Sequence, residues 1–81
     1  NDPNITINKG DTINFNVTAS GHPFFLIKNS NGGFGSDNLI EGVSNNGAEN
    51  ATISWTSLES GTYYYICEYH PSMIGIITVN E

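Results

Sequence analysis

The stretch GTYYYICEYHPSMIGIITV, residues 61–79, predicts two strands joined by a short loop that concentrates the rarest side chains of the chain. Gly61 opens an aromatic and β-branched run that ends at Cys67, and a second β-branched run extends from Ile74 to Val79. The loop between the runs holds the only cysteine, the only methionine and one of only two histidines. This segment therefore supports two predictions, one about the fold of the chain and one about the chemistry of its rarest side chains.

The rest of the chain has the pattern of an all-β protein. Short apolar runs with a period of two alternate with turn signals rich in Gly, Asn and Asp, and no helical period is present. The predicted strands are residues 5–7, 13–18, 22–28, 51–56, 62–67 and 74–79, with one further irregular strand within the long connection 29–50. We predict a Greek-key β-sandwich of about six or seven strands, with residues 1–81 forming a single domain.

The net charge of the chain limits the kinds of molecule that it is expected to bind. Eight acidic residues against two lysines, with no arginine, give a formal net charge of -6. Such a chain repels nucleic acid and anionic lipid, and a basic or neutral protein is the better electrostatic match. No apolar run is long enough to span a membrane. The carboxylates are dispersed along the sequence, and only Glu68 can be placed near the cysteine loop.

The loop itself has the spacing Cys-x2-His-x2-Met, formed by Cys67, His70 and Met73. A single cysteine cannot form an intrachain disulfide, and thiolate, imidazole and thioether together favour copper. A copper site of this kind needs a second imidazole, and His22 is the only other histidine in the chain. Each residue alone has an ordinary alternative, such as an inert buried thiol or a surface histidine, but their joint occurrence favours a metal site.

With these residues the chain resembles the cupredoxins of the plastocyanin and amicyanin group. The resemblance covers nearly all of the chain, from the entry segment NKGDTINFNVTASGHPF, residues 8–24, through the long variable connection to the segment 61–79 with its short loop. It implies one copper ion per chain, bound by His22, Cys67, His70 and Met73. The resemblance also implies that the carbonyl of Gly21 is a further weak axial ligand.

The same resemblance implies a soluble one-electron carrier rather than an enzyme. Its partners would be redox proteins such as a cytochrome or an oxidase or reductase. They would dock at an apolar end formed by four residues, with Phe34 or Tyr69 as further candidates: His70, Pro71, Pro23 and Phe24. Copper–thiolate chemistry favours an extracytoplasmic location, such as the periplasm, the cell surface or the thylakoid lumen.

Two departures from the family pattern lead to further expectations. Many cupredoxins have Asn after the first histidine, where its N–H donates to the cysteine sulfur, whereas Pro23 has no N–H. We predict one hydrogen bond fewer to the Cys67 thiolate and a lower reduction potential. Relatives also begin with an additional strand before the segment that residues 5–7 resemble, so we expect either an uncapped sheet edge, which would permit dimerisation, or an upstream strand that was removed.

Three other functions remain compatible with the sequence. The chain could store or deliver copper, or it could be the cupredoxin domain of a larger redox protein. It could also be a sandwich without metal that serves in adhesion or assembly. Copper retention and a reversible reduction potential would distinguish the electron carrier from these alternatives.

Overall fold

The computed structural model describes residues 4–18 and 20–81, with residues 70–73 described by their backbone only. The described residues form six strands and no helix, which confirms the predicted all-β class. The strands are β1 (Ile5–Asn8), β2 (Thr12–Thr18), β3 (Phe24–Ile27), β4 (Asn50–Thr56), β5 (Gly61–Cys67) and β6 (His70–Asn80). None of the described residues belongs to a helix long and apolar enough to cross a lipid bilayer.

The strands form the two sheets of the predicted Greek-key sandwich. One sheet has the order β1-β6-β5-β3, and the other pairs β2 with β4. The chain crosses between the sheets at every connection up to β5 and then forms the β5–β6 hairpin. Strand β1 pairs in parallel with β6, and the other ladders are antiparallel.

The alternation of side chains along each strand places the core between the sheets. Leu26, Ile53 and Ile77 have no exposed surface, and Trp55 is also buried. The ring of Tyr63 meets that of Trp55 edge-on at 4.9 Å, and its hydroxyl donates to the Glu59 carbonyl at 3.0 Å. Trp55 is therefore a core residue, and the Tyr63 hydrogen bond has the form of a tyrosine corner at the start of β5.

The first part of the long connection is closed by a buried asparagine. The Asn38 side chain donates to the carbonyls of Asn29 and Gly33, at 3.0 and 2.8 Å, and accepts from the Asn29 N–H at 3.0 Å. The Lys28 N–H donates to the Asn38 carbonyl, so the chain returns to the point where it left β3. A single amide side chain thus satisfies the backbone groups of an otherwise irregular loop.

The second part of the connection serves as the predicted irregular strand. It runs antiparallel to β3, with bridges at Leu39 and Ala48, and Ser44 bridges to β4. Between the bridges, the Asn46 amide accepts from the N–H of Leu26 at 2.8 Å and donates to the Leu26 carbonyl at 3.0 Å. The connection therefore covers the outer edge of β3 and closes one side of the sandwich.

The outer edge of β2 is different. Within residues 4–18 and 20–81, β4 is the only strand that pairs with β2. The strand has seven residues and carries no proline and no charge, so it lacks the features that usually protect an edge from pairing. Dimerisation through this edge remains a prediction.

Gly75 gives a direct test of the packing in the larger sheet. It pairs with Tyr65 across the β5–β6 ladder, and a Cβ at this position would overlap the Tyr65 ring. We expect Gly75→Ala to lower the free energy of unfolding by about 1–3 kcal/mol through overpacking. Each kcal/mol corresponds to a fall of roughly 4–8 °C in the thermal midpoint for a domain of this size.

The neighbouring residue supplies the control for this substitution. Ile76 is 39% exposed, so Ile76→Thr should change the free energy of unfolding by no more than about 0.5 kcal/mol. Equal midpoints for the Gly75→Ala variant and the wild type, measured by circular dichroism, would contradict the packing that the structure shows.

Candidate metal centre

Cys67 lies at the end of β5 and is buried, with 8% of its surface exposed. It belongs to the same alternating set as Tyr63 and Tyr65, which face the core. The thiol is free of any disulfide. The core-facing side of β5 therefore ends in a free thiol that is largely shielded from bulk water.

Two backbone contacts bring the His22 segment alongside Cys67. Phe24 is the pairing partner of Cys67 in the β3–β5 ladder, and the Glu68 N–H donates to the Pro23 carbonyl at 2.9 Å. His22 is half-buried, and its Nδ1 atom is buried. The fold thus places the segment that carries His22 and leads into β3 beside the Cys67 thiol at the end of β5. Both lie at the same end of the sandwich, which we call the metal end.

The β5–β6 hairpin brings the backbone of the third predicted ligand to the same place. Cys67 is paired with His70, whereas Ile66 is paired with Ile74. Residues 71–73 therefore form a bulge in β6 at the metal end. The side chains of His70 and Met73 lie outside the described part of the structure. The side chains that the structure does describe include no group of three or more His, Cys, Asp or Glu residues placed to hold a metal ion. The four-residue ligand set remains a prediction.

The structure adds one acidic residue to this end that the sequence did not identify. The Gly21 N–H donates to Oε1 of Glu49 at 2.7 Å. Gly21 has a φ of 81°, in the left-handed region that favours glycine. From the sequence only Glu68 was expected near the site, because Glu49 is 28 residues from Gly21 and lies in an irregular connection without a recognisable pattern.

The predicted docking end includes Phe24, with Phe34 or Tyr69 as further candidates, and these three residues differ in how they pack. Tyr69 is 62% exposed in the turn between β5 and β6. Phe24 is half-buried, with its ring packed on Phe15 at 5.3 Å and on Tyr65 at 5.7 Å. Phe34 packs on Phe25 at 4.8 Å, so it has the loop-packing role. Of the additional candidates, Tyr69 is therefore the one that offers an exposed apolar surface.

Charge is distributed unevenly along the length of the sandwich. Lys28 lines a cleft together with Gly61, the first residue of β5, and the Lys9 N–H binds the carbonyl of Asn80 at the same end. Both lysines of the chain thus lie away from Cys67, at the opposite end of a strand about 20 Å long. The cysteine end carries the carboxylates of Glu49 and Glu68.

The donors near this end suit a copper ion of the blue-copper type. A buried thiol that is not cross-linked is available to bind a metal, and a half-buried histidine lies in the segment beside it. Sulfur and imidazole donors together favour copper over the hard cations that prefer oxygen ligands. The described residues fit the metal that the sequence predicts.

Comparison with known proteins agrees with this chemistry. The sequence profile of the copper-binding proteins of the plastocyanin/azurin family matches residues 1–80. A reduced Cu(I) form, at pH 4, of a proline-to-glycine mutant of amicyanin is 30% identical, with a TM-score of 0.64, over 98% of this chain and 70% of that chain. An oxidised methionine-to-leucine mutant of amicyanin is 24% identical, with a TM-score of 0.67 and the same coverage. A search of curated protein sequences finds no significant match.

The position of Pro23 leads to a test of the thiolate environment. The Pro23 carbonyl accepts from the Glu68 N–H, so residue 23 lies beside the residue that follows Cys67. An N–H restored at residue 23 would be the donor to the sulfur that the family resemblance implies. We expect Pro23→Asn to raise the reduction potential of the copper-loaded protein. The gain should be roughly 20–60 mV, the equivalent of one net hydrogen bond for a one-electron couple.

Pro23→Ala is the matched variant, because it restores the N–H without the asparagine side chain. Both variants should shift the potential measured by protein-film voltammetry in the same direction. An unchanged potential in both would show that residue 23 does not control the hydrogen bonding of the thiolate.

Proposed function

Because the chain belongs to the plastocyanin/azurin family of copper-binding proteins, we propose that it is a type 1 copper protein that carries single electrons between redox proteins. One observation carries this proposal most directly. A buried free thiol, Cys67, ends the strand that is paired with the His22 segment on one side and with His70 on the other. This arrangement supports a site that would take its ligands from three neighbouring segments at one end of the sandwich.

In the proposed site, His22, Cys67 and His70 would be the strong ligands of the copper and Met73 a weak one. The carbonyl of Gly21 would be a further weak ligand. We propose one copper ion per chain, and copper bound in this way would supply a Cu(II)/Cu(I) couple for one-electron transfer.

The protein itself keeps the proposed ligands in fixed positions and limits their contact with water. Cys67 is fixed by pairing on both sides of β5, and its burial limits the access of water to the sulfur. The Glu68–Pro23 hydrogen bond joins the two segments that carry the thiolate and the first imidazole. Ligands that keep their positions in both oxidation states permit electron transfer with little rearrangement.

The proposed function involves no substrate chemistry, so the protein is a carrier and not an enzyme. We propose that residues 1–81 act as one domain in an extracytoplasmic compartment. Its redox partner would dock at the end that contains His70, Pro71, Pro23 and Phe24. The exposed ring of Tyr69 and the absence of lysine from this end favour a partner that is neutral or positively charged there.

The first test of this proposal is visible absorption spectroscopy after one equivalent of Cu(II) is added to the apo-protein. We expect an intense copper–thiolate charge-transfer band that colours the protein blue. Ascorbate should bleach it and ferricyanide should restore it. Cys67→Ser should abolish the band, because a hydroxyl cannot supply the thiolate that the transition requires.

A colourless wild-type protein would contradict the proposal. If Cu(I) then bound tightly and Cu(II) weakly, copper storage or delivery would be the better assignment. A protein whose stability and binding did not change with copper would have a structural role.

The docking surface can be tested through electron self-exchange, which requires two metal ends to meet. We expect Tyr69→Asp to lower the self-exchange rate constant about tenfold, because a hydrated charge replaces apolar contact area and adds to the repulsion between two acidic ends. The rate constant can be measured from NMR line broadening in mixtures of oxidised and reduced protein.

Leu58→Asp is the matched control, because Leu58 is 77% exposed and lies in the connection between β4 and β5, at the opposite end. The control should retain the wild-type rate constant. Equal rates for both variants would show that electrons do not pass through the turn at Tyr69.

A further inference from the structure

The Glu49 carboxylate contacts the backbone of the residue that precedes His22. Its Oε1 accepts a hydrogen bond from the Gly21 N–H at 2.7 Å, a length typical of charge-assisted bonds between an N–H and a carboxylate. Gly21 is itself the residue whose carbonyl is the candidate weak axial ligand. The contact is therefore one peptide unit away from two of the groups proposed to hold copper.

This contact is one of several that fix the segment on both of its sides. The Phe24 N–H donates to the Ala48 carbonyl at 3.1 Å, and the Gly47 N–H donates to the Phe24 carbonyl at 2.8 Å. The Glu49 bond extends this ladder past His22. The segment that carries His22 is thus held by residues 47–49 along one edge, while β5 holds the other edge.

The sequence of this segment makes the contact more important. Pro23 has no backbone N–H, so residue 23 cannot donate a hydrogen bond that would hold this segment in place. The available backbone donors nearest to His22 on either side are those of Gly21 and Phe24, and both bind the connection that ends at Glu49. The Glu49 side chain supplies the last of these attachments.

We propose that Glu49 is a positioning residue of the copper site, which orients the Gly21–His22 peptide through its hydrogen bond and lowers the reduction potential through its charge. The inference rests on the proposed function, since it assumes that His22 binds copper. A negative charge close to the metal stabilises Cu(II) relative to Cu(I), and no lysine lies at this end to offset it.

The charge and the hydrogen bond can be separated by two substitutions. Glu49→Gln removes the charge but retains an oxygen that can accept from the Gly21 N–H, whereas Glu49→Ala removes both. Glu41→Gln removes one charge from an exposed residue beside the cleft at the opposite end, and it serves as the control for net charge.

The hydrogen bond is tested in the apo-protein, where copper plays no part. We expect the Gly21 amide proton to exchange with solvent about tenfold faster in Glu49→Ala than in the wild type, as for the loss of one hydrogen bond to a charged group. Glu49→Gln should restore most of the protection. Equal exchange rates in the wild type and Glu49→Ala would overturn the positioning role, whatever the metal site proves to be.

The effect on copper is tested in the loaded proteins. Glu49→Ala should bind Cu(II) about 10- to 100-fold more weakly, as is usual when a group that orients a metal ligand is removed. Both Glu49 variants should have a higher reduction potential than the wild type, and the difference should shrink as ionic strength rises. The Glu41→Gln potential should match that of the wild type.

These outcomes separate the inference from the function on which it rests. A blue wild-type protein whose Glu49 variants have unchanged Cu(II) affinity and potential would overturn the inference and leave the copper site intact. A wild-type protein with no copper–thiolate band would overturn the proposed function, while the amide exchange would still report on the Glu49 bond.

Discussion

The arrangement of the metal end depends on one junction, the pairing of Phe24 with Cys67 at the ends of β3 and β5. This pairing sets the segment before Phe24 against the turn after Cys67, where the Glu68 N–H binds the Pro23 carbonyl at 2.9 Å. Slipping the register by one residue would turn Cys67 away from the core and separate it from the His22 segment. The core side chains that hold the register therefore also hold Cys67 beside the His22 segment.

The rings that hold the junction belong to the two sheets together. Phe24 packs on Phe15 of β2 and on Tyr65 of β5, with ring centroids 5.3 and 5.7 Å apart. Phe15 also contacts Tyr65 at 5.3 Å, so the three rings form a closed triangle. Aromatic contacts of this kind add stability beyond the burial of apolar area. They help a small domain with few core residues to hold these strand ends in place. The same triangle explains why Phe24 packs inward and is not simply part of an outer rim.

The sequence was sufficient for the strands and the sandwich, because alternation and turn residues are local signals. It also identified Cys67 and His22 as neighbours in the fold, through strand ends and a family resemblance. It could not identify the roles of Asn38, Asn46 and Glu49. Their side chains bind backbone groups that are distant in sequence, such as Leu26, which is 20 residues from Asn46. Such contacts leave no periodicity, and in a chain rich in Asn no single amide stands out.

The long connection is therefore part of the metal centre's support and not only a link between sheets. Asn46 takes the place of a peptide group beside β3, Ala48 continues the ladder, and Glu49 extends it to Gly21. A segment attached in this way transmits its own shifts to the residues beside the proposed copper ligand. Since the attachments use side chains as well as backbone, substitutions in the connection can adjust the site without altering the strands that carry the ligands. The irregular part of this fold is thus attached directly to the segment that carries the proposed copper ligand His22.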